Sequence, residues 1–406
     1  MNHPTRHVHP SIYMILIAPF GVVSGYLTVA VAWQLSQAGV SVGEIAMVIA
    51  LSFIPQTWKF LWAPVADMTL TRKRWYVLAS VVTALGILAM GLAPATRAGL
   101  TLLTVAALGV NLAVTFLAMS VESLLAYGAT ENEKGRAGGW FQAGNLGGAG
   151  LGGGAGLWIA QHLAAPWMAG AILALVCMLC MLALLWVPEP PAAHRDGTLL
   201  ENLKSVGVDL WSVATRRTGA LALLLCFVPV GTGAASGLWS AVADDWKATA
   251  DTVALVTGVF SGVISAVGCL AGGWICDRMD RKYAYLLFGV LQGLCAVGMA
   301  FAPHSERMYI AFTSIYAFSN GLAYAGFSAF VLEAMGLGAA ATKYNVYASL
   351  SNTPIMYMTS VDGWAHGKFG PSGMLLTEAV CVAIGVVLFS AVAWWAQRRP
   401  VSVQRA

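Results

Sequence analysis

Residues 272–282 read GGWICDRMDRK, an apolar run that ends in Asp277 and passes into a basic cluster. About 210 positions earlier, WAPVADMTLTRKRW (62–75) repeats the plan, with Asp67 followed by Arg72, Lys73 and Arg74. The offset recurs along the chain. Pro19-x-Gly21 matches Pro229-x-Gly231 at 210, Asn111 matches Asn320 at 209, Glu122 matches Glu333 at 211, and Asn145 matches Asn352 at 207. Five matches in one order point to a duplicated unit.

The unit is built for lipid. Of 406 residues, 58% are apolar and 10% charged, and the mean hydropathy is +0.73. An ordinary soluble domain has about 25% charged residues, so a water-soluble enzyme is excluded. The basic residues lie in short clusters between apolar runs, which excludes a nucleic-acid partner. With about 20 residues needed per crossing, twelve segments qualify. The first six cover about 11–36, 43–66, 75–94, 99–127, 137–162 and 166–187. The second six cover about 219–242, 252–275, 283–302, 308–334, 343–366 and 371–396. The reading is therefore an all-α membrane protein of twelve transmembrane helices in two pseudo-symmetric halves, 1–187 and 219–406, joined by a polar linker, 188–218. With the N-terminus inside, seventeen of the 22 Lys and Arg lie in inner segments, four in outer loops and Lys59 within a span. That bias places both termini in the cytoplasm. No small-residue cleavage site follows the polar start, so the first helix is expected to remain as an anchor.

Gly273, Asp277, Arg278, Arg281 and Lys282 occupy the positions of the loop signature G-x-x-x-D-R-x-x-R-K, so the chain resembles the major facilitator superfamily. The first-half copy keeps Asp67, Arg72 and Arg74 but lacks an Arg directly after the Asp. More narrowly, KFLWAPVAD (59–67) with RKRWYVLAS (72–80), the stretch 20–46 and the stretch 343–370 resemble the branch of muropeptide permeases and acetyl-CoA transporters. The resemblance implies a secondary transporter working by alternating access in a bacterial inner membrane. It implies import of a cell-wall sugar–peptide, driven by protons. The alternatives are an acyl-CoA-like substrate, efflux of amphiphiles, or a sensor that binds without flux.

Charges inside a bilayer need a partner or a task, since insertion scales charge about 2.5–3.5 kcal/mol for Lys or Asp at the centre. Lys59 has two readings: a cation for an anionic substrate, or a lysine snorkelling to the headgroups. Glu122 and Glu333 lie near the inner ends of equivalent spans. They are expected to latch onto the basic loops, Glu122 with Arg72 or Arg74 and Glu333 with Arg278 or Arg281, beside Asp67 and Asp277. The superfamily resemblance implies such latches as well. Glu122, Glu333 and Asp362 are the proton-coupling candidates. Tyr26, Gln56, Asn111, Asn145, Asn320, Tyr324, Asn352 and Tyr357 form with Lys59 the candidate substrate set, against the competing reading of interhelical hydrogen bonds worth about 0.6 kcal/mol each. Ser41-x-x-Glu44 reads as a capping box, and Asp244 and Asp245 as solvated loop residues.

Eight glycines between Gly144 and Gly156 let helices approach closely. Cys177-x-x-Cys180 lies within an apolar run and reads as packing. His3, His7 and His9 lack partner ligands, so no metal is expected. No Gly-rich phosphate loop is present, so no cofactor is expected and energy must come from a gradient. The expected partners are a small-molecule substrate, protons and lipid, with the chain a monomer.

Overall fold

The computed structural model describes residues 8, 9, 11–128, 134–189, 217–335 and 346–398, with six positions between 201 and 215. Most of the expected linker lies outside the described residues. Every regular element among the described residues is helical, as lipid demands of a backbone that must satisfy its own polar groups. Among the described residues, seven helices have the length and apolarity of a span. One of them, Val346–Trp395, takes in the last two expected spans, which meet at Gly370 (φ +71°) and Pro371. Of the remaining expected spans, the fifth (Lys134–His162) and the tenth (Glu306–Met335) are helical throughout, and the second and seventh are interrupted.

Local signals set several boundaries. Ser41 and Glu44 form the expected capping box: the Glu44 N–H donates to Ser41 Oγ (3.3 Å) and the Ser41 N–H to Glu44 Oε2 (3.1 Å). Thr71 caps Arg72–Leu92, and Asp280 accepts from the Lys282 N–H (3.1 Å) at the start of Arg281–Phe301.

Two expected spans are broken. The second runs Val42–Ser52, then Ile54–Trp58, a 3₁₀ turn Lys59–Leu61, and Ala63–Met68. Pro55 and Pro64 withhold the N–H groups that Leu51 and Phe60 carbonyls would accept. The seventh is helical only over Arg217–Leu225 and then irregular to the 3₁₀ turns Ala234–Leu238 and Ala243–Trp246. Gly231 (φ +63°) and Gly233 (φ +66°) hold the left-handed backbone that reverses it. The first span, its repeat partner, stays helical through Pro19 over Ser11–Gly25 and continues to Gln37.

Three apolar cores define the packing. One, near the basic loops, is made only of first-half residues such as Tyr13, Tyr76 and Leu117. A second at that end is made of second-half residues such as Leu225, Phe288 and Phe389, with Phe60 leaning on it. The third, at the opposite end, contains both halves: Tyr26, Ile49 and Leu173 with Leu238, Trp246 and Met374. The halves thus share one core far from the basic loops and have separate cores beside them.

Glycines set the shared end. A methyl on Gly258 would sit 2.5 Å from the Gly154 Cα and N, and one on Gly363 would overlap Ala46. The fifth and eighth spans, and the second and eleventh, therefore touch backbone to backbone. The same spacing works inside the first half, where Gly144, Gly148 and Gly152 lie against the carbonyls of Met14, Ala18 and Val22.

Candidate functional site

The interruption of the second span puts three polar side chains against the fourth. Gln56 Nε2 donates to Asn111 Oδ1 (2.8 Å), Trp62 Nε1 donates to Thr115 Oγ1 (3.0 Å), and Lys59 Nζ lies 3.6 Å from Glu122 Oε1. Asn111, Thr115 and Glu122 are four and eleven residues apart, about one and three helical turns, and so share a face. The Lys59 and Glu122 side chains are 18% and 32% exposed, so the pair keeps one wet side. Phe60, the next residue, reaches the core of the other half. Lys59 therefore stands where the halves face each other, on irregular backbone of the kind that membrane proteins reserve for cavities and binding sites.

In this conformation Glu122 takes Lys59 as its ion-pair partner. The backbone N–H of Arg72 donates to Glu189 Oε1 (2.9 Å) and its Nη1 to the Ala66 carbonyl (2.9 Å). Arg74 is exposed. In the second basic loop, Arg278 stacks on Trp274 at 3.9 Å and donates to its carbonyl (2.9 Å), while Asp277 is exposed and Arg281 half-buried. The side chains of Asp67 and Glu333 lie outside the described ones.

The other candidate ligands divide by surroundings. Tyr26 is 1% exposed, with its hydroxyl wedged between Gly91 and Gly170 of the first-half core. Asn111 also donates to the Ala107 carbonyl (2.9 Å), and Asn352 to the carbonyls of Ala348 and Ser349. Asn145 is half-buried and reaches Gln142 (3.4 Å). Asn320 fills the space beside Gly233, and Tyr324 is exposed. Tyr357 donates to the Phe227 carbonyl (2.8 Å), in the broken seventh span.

That last contact belongs to a set that sequence reading missed. Tyr285 donates to the Val230 carbonyl (2.5 Å) and Tyr309 to the Trp239 carbonyl (2.9 Å), while Gln292 Oε1 accepts from the Gly233 N–H (3.4 Å). Side chains from the ninth, tenth and eleventh spans thus replace helical hydrogen bonds that the seventh gives up. The only linear trace of this is polar residues in otherwise apolar runs.

A second buried polar group lies behind the shared end. Asp362 and Glu378 are 0% and 1% exposed. Tyr316 donates to Glu378 Oε1, and both Asp362 oxygens and Glu378 Oε2 have no hydrogen-bond partner among the described residues. The loop residues read as solvated are engaged instead. Gln37 donates to Asp244 Oδ2 (2.7 Å), tying the halves together, and His366 Nε2 lies 2.7 Å from Asp245 Oδ2. Cys177 and Cys180 are buried and free, as expected of packing residues.

Comparison with known proteins agrees with this architecture. The family model described as Major Facilitator Superfamily matches residues 13–357. The anhydromuropeptide permease of Escherichia coli strain K12 is 27% identical over 352 residues, covering 81% of this chain and 69% of that protein. Among solved structures, a D-xylose–proton symporter superposes with a TM-score of 0.72 at 13% identity, covering 93% of this chain and 96% of the other. A nucleoside transporter superposes with a TM-score of 0.71 at 12% identity, covering 94% and 98%.

Proposed function

The chain belongs to the Major Facilitator Superfamily, and from that premise we propose that it is a proton-coupled carrier of a muropeptide-like sugar–peptide. It is a membrane transporter, not an enzyme. On our reading it sits in a bacterial inner membrane as a monomer, with the basic loops and both termini in the cytoplasm. The halves, 1–187 and 219–406, rock against each other so that the shared core closes or parts, and the solute binds between them.

The observation that carries the reading is the Lys59–Glu122 pair on the interrupted second span, facing the other half. A carboxylate of the solute would compete with Glu122 for the ammonium. Gln56 supplies amide hydrogen bonding beside it, and Asn320 and Tyr324 complete the site from the tenth span. Release of Glu122 frees it to reach Arg72 or Arg74, which makes it a gating residue, and Glu333 would do the same with Arg278 or Arg281. The substrate class rests on the permease relative.

The test is uptake of labelled anhydromuropeptide into proteoliposomes, with and without an imposed pH gradient. Gradient-driven accumulation that collapses with a protonophore is the expected result. Absence of uptake while a known permease works in parallel would refute the substrate and redirect the search to acyl-CoA-like solutes.

A further inference from the structure

The second half buries two carboxyl groups with no cationic side chain beside them among the described residues. Asp362 of the eleventh span and Glu378 of the twelfth face one space and sense each other electrostatically. From the tenth span Tyr316 faces both and donates to Glu378. Cys381 of the twelfth span faces the pair, Cys295 of the ninth faces Glu378, and the Ala235 peptide of the seventh lies beside Glu378. His366, one turn beyond Asp362, is engaged by Asp245 (2.7 Å). No Lys or Arg acts on the pair, and three of its four oxygens lack a partner among the described residues. Two bare carboxylates cannot persist in such a place; a buried charge without a partner is neutralised.

The position of the pair links this charge to a moving part. Asp362 precedes Gly363, the glycine that admits Ala46 of the other half. Ala235 is two residues from Gly237, whose nearest contact is Ile49 of the other half (3.7 Å). The carboxyls therefore lie directly behind the contact between the halves. Closing that contact removes them from water, and opening it is the way back.

We propose that Asp362 and Glu378 form a shared proton site that loads from the end opposite the basic loops, and that closure of the halves at that end requires the proton to be bound. Closure without a proton would strand two charges, whereas closure with one leaves a neutral carboxyl hydrogen-bonding partner for the other. The inference deepens the proton coupling proposed above. It locates that coupling behind the gate in the second half, away from Lys59.

A test free of substrate separates the two readings. Nitroxides on Ala38→Cys and Asp251→Cys, one on each half at the opposite end, report the separation of the halves in purified full-length protein. In this background the opposite end is expected to be closed at acidic pH and to open as pH rises. With Asp362→Asn and Glu378→Gln added, which remove both charges and keep the shape of the pair, it is expected to stay closed at every pH. An unchanged pH response in that double variant overturns the inference, as does a separation that never depends on pH. In proteoliposomes either single variant is expected to lose gradient-driven accumulation of anhydromuropeptide while retaining counterflow. Failure of the wild type to take up that solute would count against the substrate alone, because the nitroxide result does not depend on it.

Discussion

Replacement of Gly258 by Ala should open the end opposite the basic loops without unfolding either half. The added methyl would lie 2.5 Å from the Gly154 Cα and N and 3.3 Å from the Gly153 carbonyl carbon. These are backbone atoms of a packed helix and cannot rotate aside, so the fifth and eighth spans must separate by about 1 Å to reach ordinary contact. Overpacking of this kind costs about 1–3 kcal/mol. Here the cost falls on one conformation, because the two glycines meet only across the halves. A bias of that size shifts a two-state equilibrium by about 5- to 150-fold.

The nitroxide pair at Ala38→Cys and Asp251→Cys reads this directly, as growth of a longer-distance population. Two controls fix the interpretation. Gly147→Ala lies in the same half as Gly154 and meets nothing within 4 Å, so it should leave the distances unchanged and favour its helix by up to about 1 kcal/mol. Gly43→Ala would meet only the Gly363 carbonyl, at 3.4 Å for its oxygen, and should shift the populations little. A distance distribution in Gly258→Ala equal to the wild type's would refute the contact as a limit on closure.

Three further outcomes are expected. Gly25→Ala sets a methyl against the Ala149 carbonyl and 2.8 Å from the Gly153 N within one half; it should lower the melting temperature without moving the nitroxides. Tyr285→Phe leaves the buried Val230 carbonyl unmatched, a loss of about 1–3 kcal/mol visible in thermal unfolding, whereas Tyr283→Phe at an exposed site should be neutral. Lys59→Gln should change stability by less than about 1 kcal/mol, as for other partly exposed ion pairs, yet abolish uptake. Retained uptake would make Lys59 a packing residue.

The lipid environment and the helical class were legible in composition, and the repeat in a shift near 210. The breaks were not, and Pro19 and Pro229 show why. Both sit in a Pro-x-Gly sequence, but Pro19 is followed by Val22 and Val23, whereas Pro229 is followed by Thr232 and a second glycine, Gly233. A helix is lost at the second site because Tyr285, Gln292, Tyr309 and Tyr357 stand ready to bond the freed backbone. Those partners lie up to 130 residues away, beyond the reach of local pattern. The surroundings of the candidate ligands were hidden in the same way. Tyr26 and Tyr357 look alike as tyrosines in apolar runs, yet one packs between two glycines and the other supports a carbonyl. Glu122 meets Lys59 because a 3₁₀ turn carries that lysine to it, which no linear pattern near Glu122 encodes.

The two halves hold acidic side chains in opposite ways, and that asymmetry bears on coupling. In the first half the half-buried carboxylate, Glu122, has a cation within 3.6 Å. An anion that takes the place of Glu122 at the ammonium would separate this pair, which on the function proposed above suits this half to sense an anionic solute. In the second half Asp362 and Glu378 have no cationic side chain beside them among the described residues, and a proton is the smallest species able to turn one of them into a neutral donor for the other. Neither device can act alone on the contact between the halves, because each is confined to one side of it. The contact itself joins them: Ala46 lies about two helical turns before the interruption that presents Lys59, and Gly363 directly follows Asp362. Separation of Ala46 from Gly363 would therefore wet the proton pair and move the helix that carries the solute pair in one step. A Gly363→Ala variant, whose methyl overlaps Ala46, should hold that step open. Its opposite end should stay open even at acidic pH, whereas Asp362→Asn should favour closure. If the two changes are combined, steric overlap should prevail, since neutralising a carboxyl cannot remove a methyl. A combined variant that closes would show that the glycine contact yields and that charge alone sets the equilibrium.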